Sequence, residues 1–200
     1  MVAQKEPRRM TVEEWWALLD HNPTAKYEYI DGWVSLMAGG SRVHARIGMN
    51  AIRALEDALE GRPCWVYNSD MATRLSATRY TFPDASVTCD ARDRPTVEDR
   101  EIVAPRLIVE VISDTTEAYD RGDKFSYYQA CPSVWEYVLI ATKRQSVEVY
   151  RRTAQGWTSY QRYGPDDIMQ CVSIDARISV AALYRLTDVL REVEQPEGEV

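Results

Sequence analysis

The chain has 200 residues, 45% of them hydrophobic and 28% charged, with a formal net charge of −7. That length suits one domain with a core of its own, and no apolar run approaches the roughly 20 residues a bilayer crossing takes, so no membrane partner is expected. The acid excess argues against a surface coated in positive potential for tight, non-specific DNA binding, although residues 191–200, with one Arg and four Glu, hold part of it.

Met1 to Met10 is polar and lacks the apolar stretch of a signal peptide. Thr11-x-x-Glu14 is a capping box opening a helix with Trp15, Leu18 and Leu19 on its apolar side. Tyr27 to Met37 reads as a hairpin turning at Asp31-Gly32. Ser41 caps a long helix with an apolar stripe from Val43 through Ile47, Ala51 and Leu55, closing at Gly61. Strands follow near Cys64–Leu75 and Tyr80–Cys89, and the eight charges between Asp90 and Ala104 predict an exposed loop. Leu107–Ile112 is a strand buried on both faces, followed by a helix from about Thr116 to Ala130 that Pro132 ends. Val134–Ala141, Ser146–Arg152 and Trp157–Tyr163 alternate as a three-stranded meander. Ser179 caps a last helix to about Leu190, and the Pro-Glu-Gly-Glu remainder reads as a disordered acidic tail over 191–200. Cys64, Cys89, Cys131 and Cys171 are scattered with no CxxC pair, which predicts free thiols in a reducing cytoplasm rather than a zinc site.

The chemistry concentrates in a few carboxylates. Glu110 sits among Leu107, Ile108, Val109, Val111 and Ile112, where an unpaired charge is expensive, so it must be neutral, paired or cation-bound. Asp84 follows Pro83, whose ring predicts a bend or a sheet edge. Lys124, with Asp120 four residues before it, stands one helical turn into the next helix. Two strand carboxylates and a lysine suit a hard divalent cation beside a phosphodiester. A buried ion pair of Glu110 with Arg106 or Lys124, and a surface Asp120–Lys124 pair, are the plain structural readings of the same residues.

The pattern Pro83-Asp84, Glu110, Lys124 resembles the PD-(D/E)XK nuclease superfamily, and most closely its Uma2-type branch of restriction-endonuclease-like proteins. The resemblance runs from about Thr11 to about Leu190. It includes Tyr27-Glu28-Tyr29-Ile30-Asp31-Gly32, His44, Val109-Glu110-Val111-Ile112-Ser113, Asp120-Arg121-Gly122-Asp123-Lys124 and Trp135-Glu136-Tyr137. One departure matters: Ile112 stands where the superfamily has its lysine, and the resemblance to this branch implies that Lys124 takes that part from the following helix. The resemblance implies an α/β (α+β) restriction-endonuclease-like domain over residues 1–190, with a mixed twisted sheet flanked by helices. It implies a metal-dependent endonuclease acting on DNA, with Asp84, Glu110 and the Val111 carbonyl holding Mg²⁺ or Mn²⁺, Lys124 at the phosphate and Glu28 as an auxiliary acid. A homodimer is expected by analogy. The alternative is a catalytically degenerate module of the same fold that binds nucleic acid or protein.

The remaining candidates divide by setting. His44, in a first helical turn, is a surface histidine or a second phosphate contact, and His21 is structural. Glu136 repeats the acid-in-a-strand pattern with no partner in sequence and is read as structural. Asp120 and Asp123 are placed on the exposed side or at the helix start, where acids suit the dipole. Lys143, Arg144, Arg151 and Arg152 mark the ends of a hairpin strand, either as a basic patch or as guards of an edge.

Overall fold

The computed structural model describes residues 9–37 and 39–191; the polar start of the chain and most of the acidic tail lie outside them. In chain order the elements are α1 (Val12–His21), β1 (Tyr27–Ile30), β2 (Trp33–Leu36), α2 (Arg42–Ala58), β3 (Trp65–Asn68), β4 (Ala72–Ser76), β5 (Arg79–Thr81) and β6 (Ala85–Thr88). There follow β7 (Glu101–Ile102), β8 (Leu107–Ile112), α3 (Glu117–Arg121), α4 (Asp123–Ala130), β9 (Glu136–Ala141), β10 (Val147–Thr153), β11 (Gly156–Tyr163), β12 (Ile168–Cys171), β13 (Ala176–Ser179) and α5 (Val180–Leu183).

Two sheets share the work. A five-stranded sheet runs β2-β1-β5-β4-β7, a six-stranded one runs β11-β10-β9-β8-β6-β3, and β12 pairs with β13 alone. The central pair β8 and β9 is parallel, with α3 and α4 making the crossover such a pair needs. Its other neighbours in the large sheet are antiparallel. This is a mixed α+β fold with twisted sheets flanked by helices.

Burial follows the layers. Ile47, Ala51 and Leu55 of α2 pack on one face of the large sheet against Val87, Val109, Val138 and Val149. Tyr128 of α4 covers the other face with Ile108, Tyr137 and Leu139. Trp15 of α1 closes the small sheet over Tyr29, Tyr80 and Phe82, and its indole N–H donates to the Tyr27 carbonyl at 2.7 Å.

The local signals hold where chemistry is local. The Thr11/Glu14 capping box is complete. The β1–β2 turn places Asp31 at φ 50° and Gly32 at φ 95°, the left-handed pair a two-residue hairpin favours. Five expectations change. The Cys64–Leu75 strand breaks into β3 and β4 and the Tyr80–Cys89 strand into β5 and β6, the two pieces of each joining different sheets. The 90–104 loop is anchored rather than exposed throughout, because buried Asp93 accepts from Val103 N–H, Ala104 N–H and the Thr88 hydroxyl. The helix after β8 breaks at Gly122 into α3 and α4. The last helix is only α5; the chain then turns, and Asn50 fastens it by donating to the Leu183 and Arg185 carbonyls.

The cysteines are the fifth. Cys64 and Cys89 are not free but form a disulfide, one position beyond the paired residues Trp65 and Thr88 of β3 and β6. Register that sequence spacing does not reveal brings them face to face. Cys131 and Cys171 are free and buried.

Candidate active site

The two sheets meet at Pro83-Asp84. β5 lies in the small sheet and β6, four residues on, in the large one, so the proline bend hands the chain from one to the other. Asp84 immediately precedes Ala85, which pairs with Val109, so continuing that register sets Asp84 opposite Glu110. Glu28 comes from β1 of the small sheet and Lys124 from the crossover helix. All four line one cleft of about 910 Å³.

Its floor is a buried charge cluster. Lys124 Nζ lies 2.8 Å from Glu110 Oε1, 3.1 Å from Glu28 Oε1 and 3.8 Å from Asp120 Oδ1, and all four side chains are no more than about 6% exposed. Tyr128, wholly buried, donates to Glu110 Oε1 at 2.6 Å, and Tyr119 donates to Glu28 Oε2 at 3.2 Å. Glu28 Oε1 is near Lys124 but off the line of a hydrogen bond, so this buried oxygen has no hydrogen-bond donor among the described residues. Asp84 is the least enclosed acid. Val111 N–H, pointing past the end of β6, donates to Asp84 Oδ2 at 2.7 Å, and His44 Nε2 is 3.4 Å from the same oxygen.

The electrostatics follow from burial. Burial pushes Glu110 up to about 8, helped by Asp84 and Asp120 and opposed by Lys124. Burial likewise raises Asp120, again against Lys124. For Lys124 burial works the other way, toward the neutral amine, but Glu110, Glu28 and Asp120 together outweigh it and leave its pKa well above the ordinary value. His44 is raised by its contact with Asp84 first, against burial, with the Val111 carbonyl adding to it.

Most of the predicted residues therefore converge: Glu28, Asp84, Glu110, Val111, Lys124 and His44 share the cleft. Asp120 was expected on the exposed side and is instead 3% exposed, inside the cluster. The cause is the helix break. α3 ends at Gly122 and α4 starts afresh, so Asp120 does not follow the surface of one continuous helix. No sequence signal but the glycine points to it. Tyr119 and Tyr128, which hold the acids, also carry no signal of their own.

Other candidates lie elsewhere. Arg106 donates to the Ser173 carbonyl and does not pair with Glu110. Glu136 is structural, bound by Arg151 at 2.7 Å and by the Ser173 N–H at 2.8 Å. His21 contacts the Ala17 carbonyl of its own helix. Three of the four hairpin cations are engaged within the fold: Lys143 pairs with Asp114, Arg151 with Glu136, and Arg152 donates to the Gln129 and Cys131 carbonyls.

The fold and the acid-lined cleft define a nuclease-like α+β protein. Residues 12–181 match the Uma2 family, described as "Putative restriction endonuclease", and the chain belongs to that family. It is 37% identical over 161 residues to the uncharacterized protein slr1290 of Synechocystis sp., covering 80% of this chain and 84% of that one. With sll1609 of the same organism it shares 29% identity over 134 residues, 66% of this chain and 76% of the other. A crystal structure of "a putative nuclease belonging to DUF820" from Anabaena variabilis matches with a TM-score of 0.69, covering 88% of this chain and 97% of that one; at 19% identity the likeness is one of fold.

Proposed function

We propose that the chain is a divalent-metal-dependent endonuclease that hydrolyses DNA phosphodiester bonds at the floor of this cleft. The observation that carries the reading is the charge balance: Glu28, Asp84, Glu110 and Asp120 gather around one lysine and one histidine, an arrangement stable only with added positive charge or bound protons.

The donor set suits a hard cation bound largely through water and substrate. Among the described residues no group of three or more His, Cys, Asp or Glu is arranged to hold a metal by itself. What fits is two carboxylates, Asp84 and Glu110, with the Val111 carbonyl, and Mg²⁺ characteristically takes one or two carboxylates and leaves the rest of its shell to water and phosphate oxygens. No hydrogen bond among the described residues occupies Asp84 Oδ1 or Glu110 Oε2. Bound there, Mg²⁺ or Mn²⁺ would lower the pKa of a water and neutralise charge on the phosphate.

The chain's own residues do the rest. Tyr128 and the Val111 N–H fix the orientation of Glu110 and Asp84, each by one oxygen. Glu28, buried beside Lys124 with one oxygen that has no hydrogen-bond donor among the described residues, is the auxiliary acid that would orient the metal or the attacking water. Lys124 offsets the acids and supplies positive charge to the phosphate as negative charge builds there.

Calorimetric titration with Mg²⁺ and Mn²⁺, followed by incubation with supercoiled plasmid, tests the reading. Metal binding with nicking, both lost in Asp84→Ala, is the expected result. Neither activity in the wild-type protein would favour the degenerate binding module, which the full engagement of Lys124 by carboxylates also favours. Metal binding without nicking would turn attention to small phosphoesters.

A further inference from the structure

The cleft is acidic at its floor, but one stretch of its wall is apolar. Leu36 and Met37 at the end of β2 and Met49 and Ile52 on α2 line it, and Leu36 and Met49 are 64% and 61% exposed. Duplex DNA offers such a lip little unless it is deformed, because its outward face is mainly sugar and phosphate and its base faces are stacked inside. An unpaired strand presents base faces that apolar side chains can cover.

The charges beside the lip point the same way. Arg42 and Arg46 are exposed on α2 and form no ion pair with any described residue, whereas Arg79, Arg92, Arg100 and Arg121 are each bound to an acid. At about 100° of turn per residue, Arg42 and Arg46 occupy the strip of helix next round from Met49, on the side away from His44. A backbone running along that strip lies against two free cations while its base turns over Met49 toward Leu36. Two cations suit a short run of phosphates and are few for the many contacts a duplex groove needs.

We infer that the substrate of this site is single-stranded or locally unpaired nucleic acid, held by base contact on the Leu36–Met49 lip and by phosphate contact with Arg42 and Arg46. This deepens the nuclease reading and rests on it for the reaction, though the binding it describes can be measured without any cleavage.

The test uses an end-labelled oligothymidylate, alone and annealed to its complement, titrated with the full chain in Ca²⁺ and followed by fluorescence anisotropy; parallel samples in Mn²⁺ report cleavage. The single strand is expected to bind at least about tenfold more tightly than the duplex, the scale of one base contact. Leu36→Ser with Met49→Ser should remove about that factor for the single strand alone, with melting temperature and metal affinity unchanged because both side chains are exposed. Arg42→Glu with Arg46→Glu should weaken binding most at low salt and flatten its dependence on salt. Equal or tighter binding of the duplex, or a lip variant that binds like wild type, overturns the inference. Duplex cleavage with no single-strand preference overturns it while leaving the nuclease reading intact. Tight single-strand binding without cleavage in Mn²⁺ does the reverse. Failure to bind either probe overturns it too.

Discussion

Lys124 is held by three carboxylates and is almost wholly buried, so it serves the folded state as well as any reaction. Lys124→Ala leaves those acids without their cation, and breaking a buried pair from one side costs about 3 kcal/mol. A lower melting temperature in metal-free buffer is therefore expected, with a larger rise on adding Mg²⁺ than wild type shows, since the ion replaces the lost charge. Cleavage should fall by about 10²–10³-fold, as when one electrostatic contact to the transition state is removed. Cleavage at the wild-type rate would take Lys124 out of the chemistry and direct attention to His44. Glu110 gives a second handle. An acid raised to about 8 in the fold from an unfolded value near 4.5 keeps its proton in the folded chain and loses it in the unfolded one between those limits. The folded state then binds more protons, so stability declines as pH rises through that window, by about 1.4 kcal/mol per pH unit for a full proton. Asp120 and His44, both raised, act in the same direction. Metal-free melting temperature should thus fall from about pH 5 to pH 8, and Glu110→Gln should flatten the fall and melt above wild type at pH 8, by about 2–4 °C for each 1 kcal/mol recovered. A wild-type slope retained in the variant would assign it to the other two groups.

At the scale of elements, the break between α3 and α4 decides which acids face the cleft. A Cβ at Gly122 would lie 2.9 Å from the Ala118 carbonyl oxygen, a backbone atom that cannot move aside. Gly122→Ala should therefore cost about 1–3 kcal/mol as a forced repacking, and it should shift Tyr119 and Asp120 away from Glu28 and Lys124. A melting curve identical to wild type would show that the break does not depend on this contact. The break also explains what the sequence could and could not reveal. Thr11, Asp31-Gly32 and Pro83 act through their immediate neighbours, so the first helix, the hairpin turn and the bend before Asp84 were all legible. Glu110 was legible as well, because an acid inside an aliphatic run needs a partner wherever it goes. Asp120, Tyr119 and Tyr128 reach the site through the path of the crossover, and Cys64 meets Cys89 through the register of β3 and β6. Both depend on contacts distant in sequence, and composition and periodicity carry no record of them.

Over the whole molecule, the site hangs on two sheets joined by one bend, and the β3–β6 edge is the part of the large sheet that carries Asp84. The Cys64–Cys89 bridge closes that edge at the end of β6 away from Asp84. Five residues of extended chain separate Asp84 from Cys89, about 17 Å, so the bridge bears on stability rather than on the chemistry of the acids. It spans 25 residues of sequence, a loop that contains β4, β5 and the Pro83 bend. Closing a loop of that size restricts the unfolded chain by about 3 kcal/mol. Reduction, or Cys64→Ala with Cys89→Ala, should accordingly lower the melting temperature by about 6–12 °C. Metal affinity and plasmid nicking measured well below the transition should stay as they are, since Asp84 keeps its bond to Val111 and its place opposite Glu110. Two results would count against this: a melting temperature indifferent to reductant, which would make the pair ordinary thiols in solution, or a loss of metal affinity on reduction in chain that is still folded, which would make the bridge part of the site.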